Sequence, residues 1–230
     1  YGHSEALLLK SKFTVSEMSR MAELEKSSGT TKDIRKVDTT LDSPKFTKEK
    51  GKFTGAERGT ILHKVMEQLD FPDMADLWSQ NHSNETKKKA IEAIVQNLIT
   101  RHILTEEEAA VVAYSKIIGF FDSEIGKRAY SAKKLFKEVS FNIMKEISGE
   151  KIIIQGTIDC YFEENGKYIL LDYKSNYIGN IEEETGIETI SEKYRTQLGL
   201  YKEALEKIRG IKVEEAYLYL FHLGRAVQIF

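Results

Sequence analysis

The sequence holds a single cysteine, Cys160, among 230 residues. One thiol excludes an internal disulfide framework and any zinc site or iron–sulfur cluster held by four cysteines, and a reducing cytoplasm is the expected compartment. Long apolar runs are missing too. Nothing approaches the roughly 20 residues that span a bilayer, and the N-terminus carries no signal-peptide core with a cleavage site, so no membrane partner is expected. Neither sign of charge is in excess: the formal net charge is −2. A protein that coats nucleic acid through a bulk positive field is excluded, and contact with nucleic acid has to come from local patches. There is no Gly-x-x-x-x-Gly-Lys-Ser/Thr loop, hence no expected ATP site, and no internal repeat. The chain opens on Tyr1-Gly2-His3 without an initiator methionine, which suggests a piece of a longer polypeptide.

What is present centres on the stretch from Gly156 to Ser175. Asn165-Gly166 lies between two apolar, aromatic runs and is the dipeptide preferred by a two-residue type I′ turn, whose central positions both need positive φ. With that turn, Asp159 falls opposite Asp172, where like charges about 4.5–5.5 Å apart at Cβ destabilise a sheet. A divalent cation between them offsets the repulsion, and hard cations such as Mg²⁺ choose oxygen ligands. Strand alternation puts Lys174 on the face of Asp172. Taken alone, Asp172 and Lys174 read equally well as a solvent-facing ion pair.

In chain order, residues 5–24 suggest a strand or arm leading into a short helix capped by Thr14 or Ser16. Lys26 to Thr54 reads as a polar linker. Glu57 to Leu69 forms an amphipathic helix with the stripe Ile61, Leu62, Val65, Met66 and Leu69, and His63 beside it, ending at Phe71-Pro72. Further helices are expected at about Lys87 to Ile99 and, opened by the capping box Thr105 to Glu108, as far as Phe121. A basic stretch follows (Lys127, Arg128, Lys133, Lys134, Lys137). It suits either phosphate tracking or an ordinary solvated surface, as do the linker lysines around Lys45 to Lys52. Leu135 to Met144 alternates as a strand, with Leu135, Lys137, Val139, Phe141 and Ile143 on one face. After the hairpin come an acidic, Gly-containing loop over Gly179 to Glu188, suited to gating the site, a helix from about Ser191 to Arg209, and a final strand pair. That last helix sets Gln197 and Tyr201 on one face, where Tyr201 also reads as plain core.

The ordered series Gly59-Thr-Ile-Leu-His63, Glu138, Gly156-x-x-Asp159, Asp172-Tyr-Lys174 and Gln197-x-x-x-Tyr201 resembles the RecB-like nucleases of the PD-(D/E)xK superfamily. Within them it looks closest to the C-terminal nuclease domain of AddA-type helicase-nuclease subunits, over about Thr14 to Phe230. The resemblance implies an α/β fold with a restriction-endonuclease-like core: a mixed central sheet flanked by helices, with an added helical lobe. Residues 1–54 would be an N-terminal arm, short helix and polar linker, and 55–230 the nuclease domain. It further implies a Mg²⁺-dependent deoxyribonuclease, with Mn²⁺ also accepted, that trims DNA ends in double-strand-break repair and recombination. Metal ligands would be His63, Asp159, Asp172 and the carbonyl of Tyr173; Lys174 would orient the attacking water or stabilise phosphate charge, Glu138 would be an accessory acid, and Gln197 and Tyr201 would position DNA or support the hairpin. Implied partners are single-stranded DNA, a helicase portion of the same parent chain and an AddB-type subunit. The four cysteines that hold the cluster in AddB-type and Cas4-type relatives are missing here, so no iron–sulfur cluster is expected. The competing reading is a non-catalytic DNA-binding or subunit-docking module on a nuclease-like fold.

Overall fold

The computed structural model describes residues 11–28, 53–80, 82–147, 149–175 and 183–230. The linker lysines 45–52 and the first part of the expected gating loop, 179–182, lie outside them. Among the described residues six strands form one mixed sheet. The strands are β1 (Lys12–Thr14), β2 (Lys134–Ile147), β3 (Glu150–Glu164), β4 (Lys167–Lys174), β5 (Val213–Leu220) and β6 (Arg225–Gln228). The helices are α1 (Val15–Ser28), α2 (Gly55–Gln68), α3 (Phe71–Ser79), α4 (Asn84–Thr100), α5 (Glu106–Ala109), α6 (Tyr114–Asp122), α7 (Glu124–Tyr130) and α8 (Glu183–Arg209).

The β3–β4 hairpin adopts the expected register: Glu164 pairs with Lys167 and Cys160 with Leu171, around Asn165 (φ +53°) and Gly166 (φ +79°). β3 is the longest strand, and its two edges are used differently. β2 runs antiparallel along one edge from Ile147 to Lys134. The other edge is shared: β1 pairs in parallel with Ile153 to Gln155, and β4 takes over only from Cys160. Residues 156–159 therefore face a split in the sheet. Beyond β4, β5 is parallel and β6 antiparallel.

The expected alternation of β2 holds only in part. Leu135 packs into one core while Val139, Phe141 and Ile143 pack into the other. Across the ladder, Ile154 and Ile158 belong to the second core but Cys160 and Phe162 to the first. Both strands change face at the same level. At that level Glu138 sits at φ +49°, in the left-handed region that L-residues with long side chains avoid. The register is the same on both sides of it, Lys137 with Cys160 and Val139 with Ile158, so the two strands swivel together and Glu138 stays level with Asp159.

Helices cover both faces. α2, α3, α4, α6 and α7 pack with Cys160, Phe162, Leu171, Tyr173, Tyr219 and Phe221, while α1 and α8 pack with the opposite face through Leu198, Tyr201, Ala204 and Leu205. Each fully buried Leu, Ile or Phe contributes about 1.5–3 kcal/mol. α2 starts at a capping box, Thr54 with Glu57, and buries Ile61, Leu62, Val65 and Met66. Phe71-Pro72 does end that helix, but Asp70 caps another directly behind it, with Pro72 in the first turn where its missing N–H costs nothing. The capping box at Thr105 is present, yet α5 stops at Ala109, and a separate α6 begins at Tyr114. α8 begins two turns earlier than Ser191 because Ile187 and Ile190 extend its apolar stripe onto the core. Residues 183–188 are thus helix rather than loop.

Candidate active site

The residues singled out from sequence collect at the split between β3 and β4. Asp159 leaves β3 at the swivel and turns toward β4, where its Oδ2 accepts a hydrogen bond from the Tyr173 N–H at 2.8 Å. Its Oδ1 lies 3.4 Å from Nδ1 of His63, delivered by α2. The His63 ring stands edge-on to Tyr173, centroids 5.8 Å apart. Gly59, one turn before His63, lies against Ser175 just past the end of β4, where a Cβ would meet only the rotatable Ser175 hydroxyl.

Asp172, only 1% exposed, belongs to a second set of contacts. Its Oδ2 is 2.6 Å from the Lys174 ammonium, and its Oδ1 accepts from Gln197 Nε2 at 3.0 Å. Gln197 Nε2 also donates to the Tyr201 hydroxyl at 2.8 Å. Gln197 and Tyr201 thus brace the hairpin from α8. The Lys174 ammonium lies 4.5 Å above the ring of Tyr194, one turn before Gln197 on the same helix. Tyr194 is visible in the sequence only as a core residue of the α8 stripe; its spacing from Gln197 is the one signal that could have placed it at the site.

The structure brings one donor atom each from His63, Glu138 and Asp159 to within 4.8 Å of one another, a grouping that can hold a metal ion. Imidazole and two carboxylates suit a divalent cation that accepts mixed nitrogen and oxygen ligands. Asp172 stands beside this group but is held by Lys174 and Gln197, and Tyr173 joins it through its N–H.

The electrostatics fit a site built for a cation. Burial pulls His63 down, but the hydrogen bond and charge of Asp159 outweigh it and leave the imidazole above its ordinary pKa. Burial alone would raise Asp159; His63, Lys174 and the Tyr173 N–H hold it below the usual carboxylate range. Burial pushes Asp172 up to about 6 against the pull of Lys174, and pushes Glu138 up to about 7 with help from the Asp159 charge. Lys174 loses some basicity to burial, yet Asp172 and Asp159 more than restore it, so it is an ammonium at neutral pH. His63 and Lys174 thus offset the carboxylate repulsion that the hairpin register creates.

Lys137, one residue before Glu138, donates to the carbonyls of Glu67, at 2.5 Å, and Leu69. It closes the C-terminus of α2 and ties the helix of His63 to the strand of Glu138. The basic stretch is largely spent in this way: Lys127 pairs with Glu124, Arg128 with Glu164 and Glu215, and Lys134 with Glu163. It therefore offers no continuous row of free cations.

An open mixed sheet with helices on both faces, split where two aspartates and a lysine meet, defines a nuclease of the PD-(D/E)XK class. The model of the PD-(D/E)XK nuclease superfamily matches residues 38–227, and the chain belongs to that superfamily. More particularly, it is similar to the AddA-type ATP-dependent helicase/nuclease subunit of Alkaliphilus metalliredigens, 37% identical over 240 residues, covering 99% of this chain and 18% of that protein. The same-named proteins of Thermoanaerobacter sp. (34%, 99% of this chain) and Clostridium acetobutylicum (35%, 100% of this chain) are also similar, each over 18% of its length. The chain thus spans about a fifth of the length of these relatives. A solved chain described as "Crystal structure of SSO0001" aligns with a TM-score of 0.31 at 14% identity over 58% of each chain, too distant to carry an argument.

Proposed function

We propose that this chain is the nuclease segment of a larger helicase-nuclease and hydrolyses phosphodiester bonds of DNA with a divalent cation, Mg²⁺ or Mn²⁺. The observation that carries the reading is the convergence of His63, Glu138 and Asp159 within 4.8 Å, next to the buried Asp172–Lys174 pair. These three would hold the cation, with Asp172 and the Tyr173 carbonyl completing the set on the motif's pattern. Such a cation supplies Lewis acidity and a water of lowered pKa.

The chain's own groups do the rest. Lys174 enters as an ammonium, so it serves as a hydrogen-bond donor and positive charge rather than as a base. It stabilises charge developing on the phosphate oxygens and helps to align the attacking water. Gln197 holds the Asp172 carboxylate from behind, Tyr201 accepts a second hydrogen from the same amide, and Tyr194 lies under the ammonium. Hydrolysis then adds the water oxygen to phosphorus and a proton to the departing sugar oxygen.

In the relatives' context the substrate is a DNA strand delivered by the motor portion of the same polypeptide, during end processing in repair and recombination, in the cytoplasm, alongside an AddB-type subunit. Among the described residues no helix is long and apolar enough to cross a membrane. The test is cleavage of labelled single-stranded DNA by wild type, Asp172→Asn and Lys174→Met. Both variants should lose at least a hundredfold in rate while keeping the fold. Wild-type cleavage by Asp172→Asn would remove the assignment. DNA binding with no cleavage by any of the three would point to the docking-module reading.

A further inference from the structure

Lys174 ends β4, and β5 pins its backbone: the Lys174 carbonyl accepts from the Phe221 N–H at 2.9 Å, and the residue pairs with Leu220. The side chain is another matter. A lysine carries its charge on a flexible four-carbon stem with three rotatable donors, so a pinned Cα still leaves the ammonium a wide choice of positions. One of its contacts is the Asp172 carboxylate, 2.6 Å away. Alone, that contact is a pivot: it sets a distance, and the stem and the other two hydrogens can still turn about it.

The second contact is aromatic. Nζ of Lys174 stands 4.5 Å from the centroid of the Tyr194 ring, well inside the roughly 6 Å over which a ring face attracts a cation. The lysine side chain is only 14% exposed, so little water competes with the ring and the attraction lies toward the stronger end of its range. Tyr194 is itself held, packed at the border of the core beneath α8. It lies one turn before Gln197, whose amide donates to the other oxygen of Asp172 at 3.0 Å. One helix thus grips both halves of the ion pair, the acid through Gln197 and the ammonium through Tyr194. A second ammonium, Lys193, lies 5.8 Å from the same ring, but Lys193 is exposed and water weakens its attraction. With one hydrogen of Lys174 on Asp172 and the ring face taking another, a tetrahedral ammonium has one hydrogen left, and the first two set its direction.

We propose that Tyr194 is a positioning residue for strand cleavage: its ring face fixes the Lys174 ammonium so that the third hydrogen is presented to the attacking water or a phosphate oxygen. The proposal rests on the nuclease reading above, and Tyr194 acts through Lys174 rather than on DNA. The test uses the whole chain as wild type, Tyr194→Phe, Tyr194→Leu and Lys193→Ala, with a series carrying phenylalanine with one, two or three ring fluorines in place of Tyr194. Fluorine drains the ring face of negative charge and barely changes its shape, so packing is kept while the cation's attraction falls. Cleavage of a labelled single strand gives kcat and KM at temperatures where melts show each protein folded. The contact is read separately, without metal, in protein labelled with ¹³C at lysine Cε: a Cε–H held over a ring face is shifted upfield, and the Lys174 signal is the one missing from Lys174→Met.

Tyr194→Leu should lose about 10–30-fold in kcat with KM nearly unchanged, and the upfield shift of Lys174 should vanish. Tyr194→Phe should keep kcat within about twofold and keep the shift, Lys193→Ala should match wild type, and kcat should fall stepwise with each fluorine. Unchanged kcat in Tyr194→Leu, or a flat fluorine series, overturns the proposal. Equal losses in Tyr194→Phe and Tyr194→Leu assign the effect to the hydroxyl and overturn the role of the ring. A Lys174 signal without the shift in an active wild type overturns the contact and leaves the nuclease reading standing. A wild type that shows the shift but cleaves no strand removes the nuclease reading, and the positioning role falls with it.

Discussion

Glu138→Gln separates the cost of the site from its use. Glu138 occupies the left-handed region with a carboxyl raised from 4.5 to about 7, first by burial and then by Asp159. A rise of about 2.5 pH units corresponds to about 3.4 kcal/mol at full weight. The side chain is only half-buried, and water screens it, so about 1 kcal/mol is the working figure. The folded-state value lies above the unfolded one, so the protein without metal loses this stability as pH rises from about 4.5 to about 7. Glutamine has the same shape and the same backbone strain but no charge. In urea titrations with EDTA, Glu138→Gln should match wild type at pH 4.5 and exceed it by about 1 kcal/mol at pH 8. Glu138→Gly should gain further, because relief of about 1–2 kcal/mol of left-handed strain exceeds the roughly 0.5–1 kcal/mol entropic cost of glycine. Both should bind Mn²⁺ at least tenfold more weakly. A Glu138→Gln variant that is less stable than wild type at pH 8, or whose advantage does not change with pH, refutes the reasoning.

Three further outcomes follow from the same geometry. Lys137→Met should weaken Mn²⁺ binding by about 10–100-fold, because α2 and β2 are no longer tied together beside His63 and Glu138, while Lys137→Arg restores part of it; calorimetric titration of folded protein checks this. Metal affinity should itself climb between about pH 5 and 7.5, since cation binding competes with protons on Asp172 and Glu138, and an affinity flat across that range would contradict their placement. Gly126→Ala should cost about 3 kcal/mol or more, because its Cβ would lie 2.0 Å from the backbone oxygen of Phe120, whereas Gly59→Ala should stay within about 1 kcal/mol, because the Ser175 hydroxyl that it meets can rotate away. Thermal melts distinguish the two.

Local chemistry made much of this fold legible from sequence. The Asn165-Gly166 turn set the hairpin register, the stripe from Ile61 to Leu69 gave α2, and Thr105 to Glu108 gave a true capping box. Site residues far apart in sequence could be gathered through the order of short motifs, and the structure does bring His63, Glu138, Asp159, Asp172, Lys174, Gln197 and Tyr201 together. What escaped were features that depend on tertiary contact. Nothing local marks Glu138 as left-handed, since glutamate is not a residue that favours that region; only the swivel of two paired strands imposes it. The engagement of Arg128, Lys134 and Lys137 was hidden because their partners, Glu163, Glu164 and Glu215, and the end of α2 lie far away in the chain, whereas the Lys127–Glu124 pair is local. The split in β3 was equally invisible, because it arises from two strands of different origin sharing one edge.

A metal centre of His63, Glu138 and Asp159 that serves strand cleavage requires metal binding and cleavage to fail together. The most direct measurement is calorimetric titration of Mn²⁺ and Mg²⁺ into wild type and Asp159→Asn, with cleavage of labelled single-stranded DNA followed in the same samples. One metal site in wild type, with binding and cleavage both lost in a folded Asp159→Asn, is the predicted result; equal metal affinity in the two proteins would contradict it.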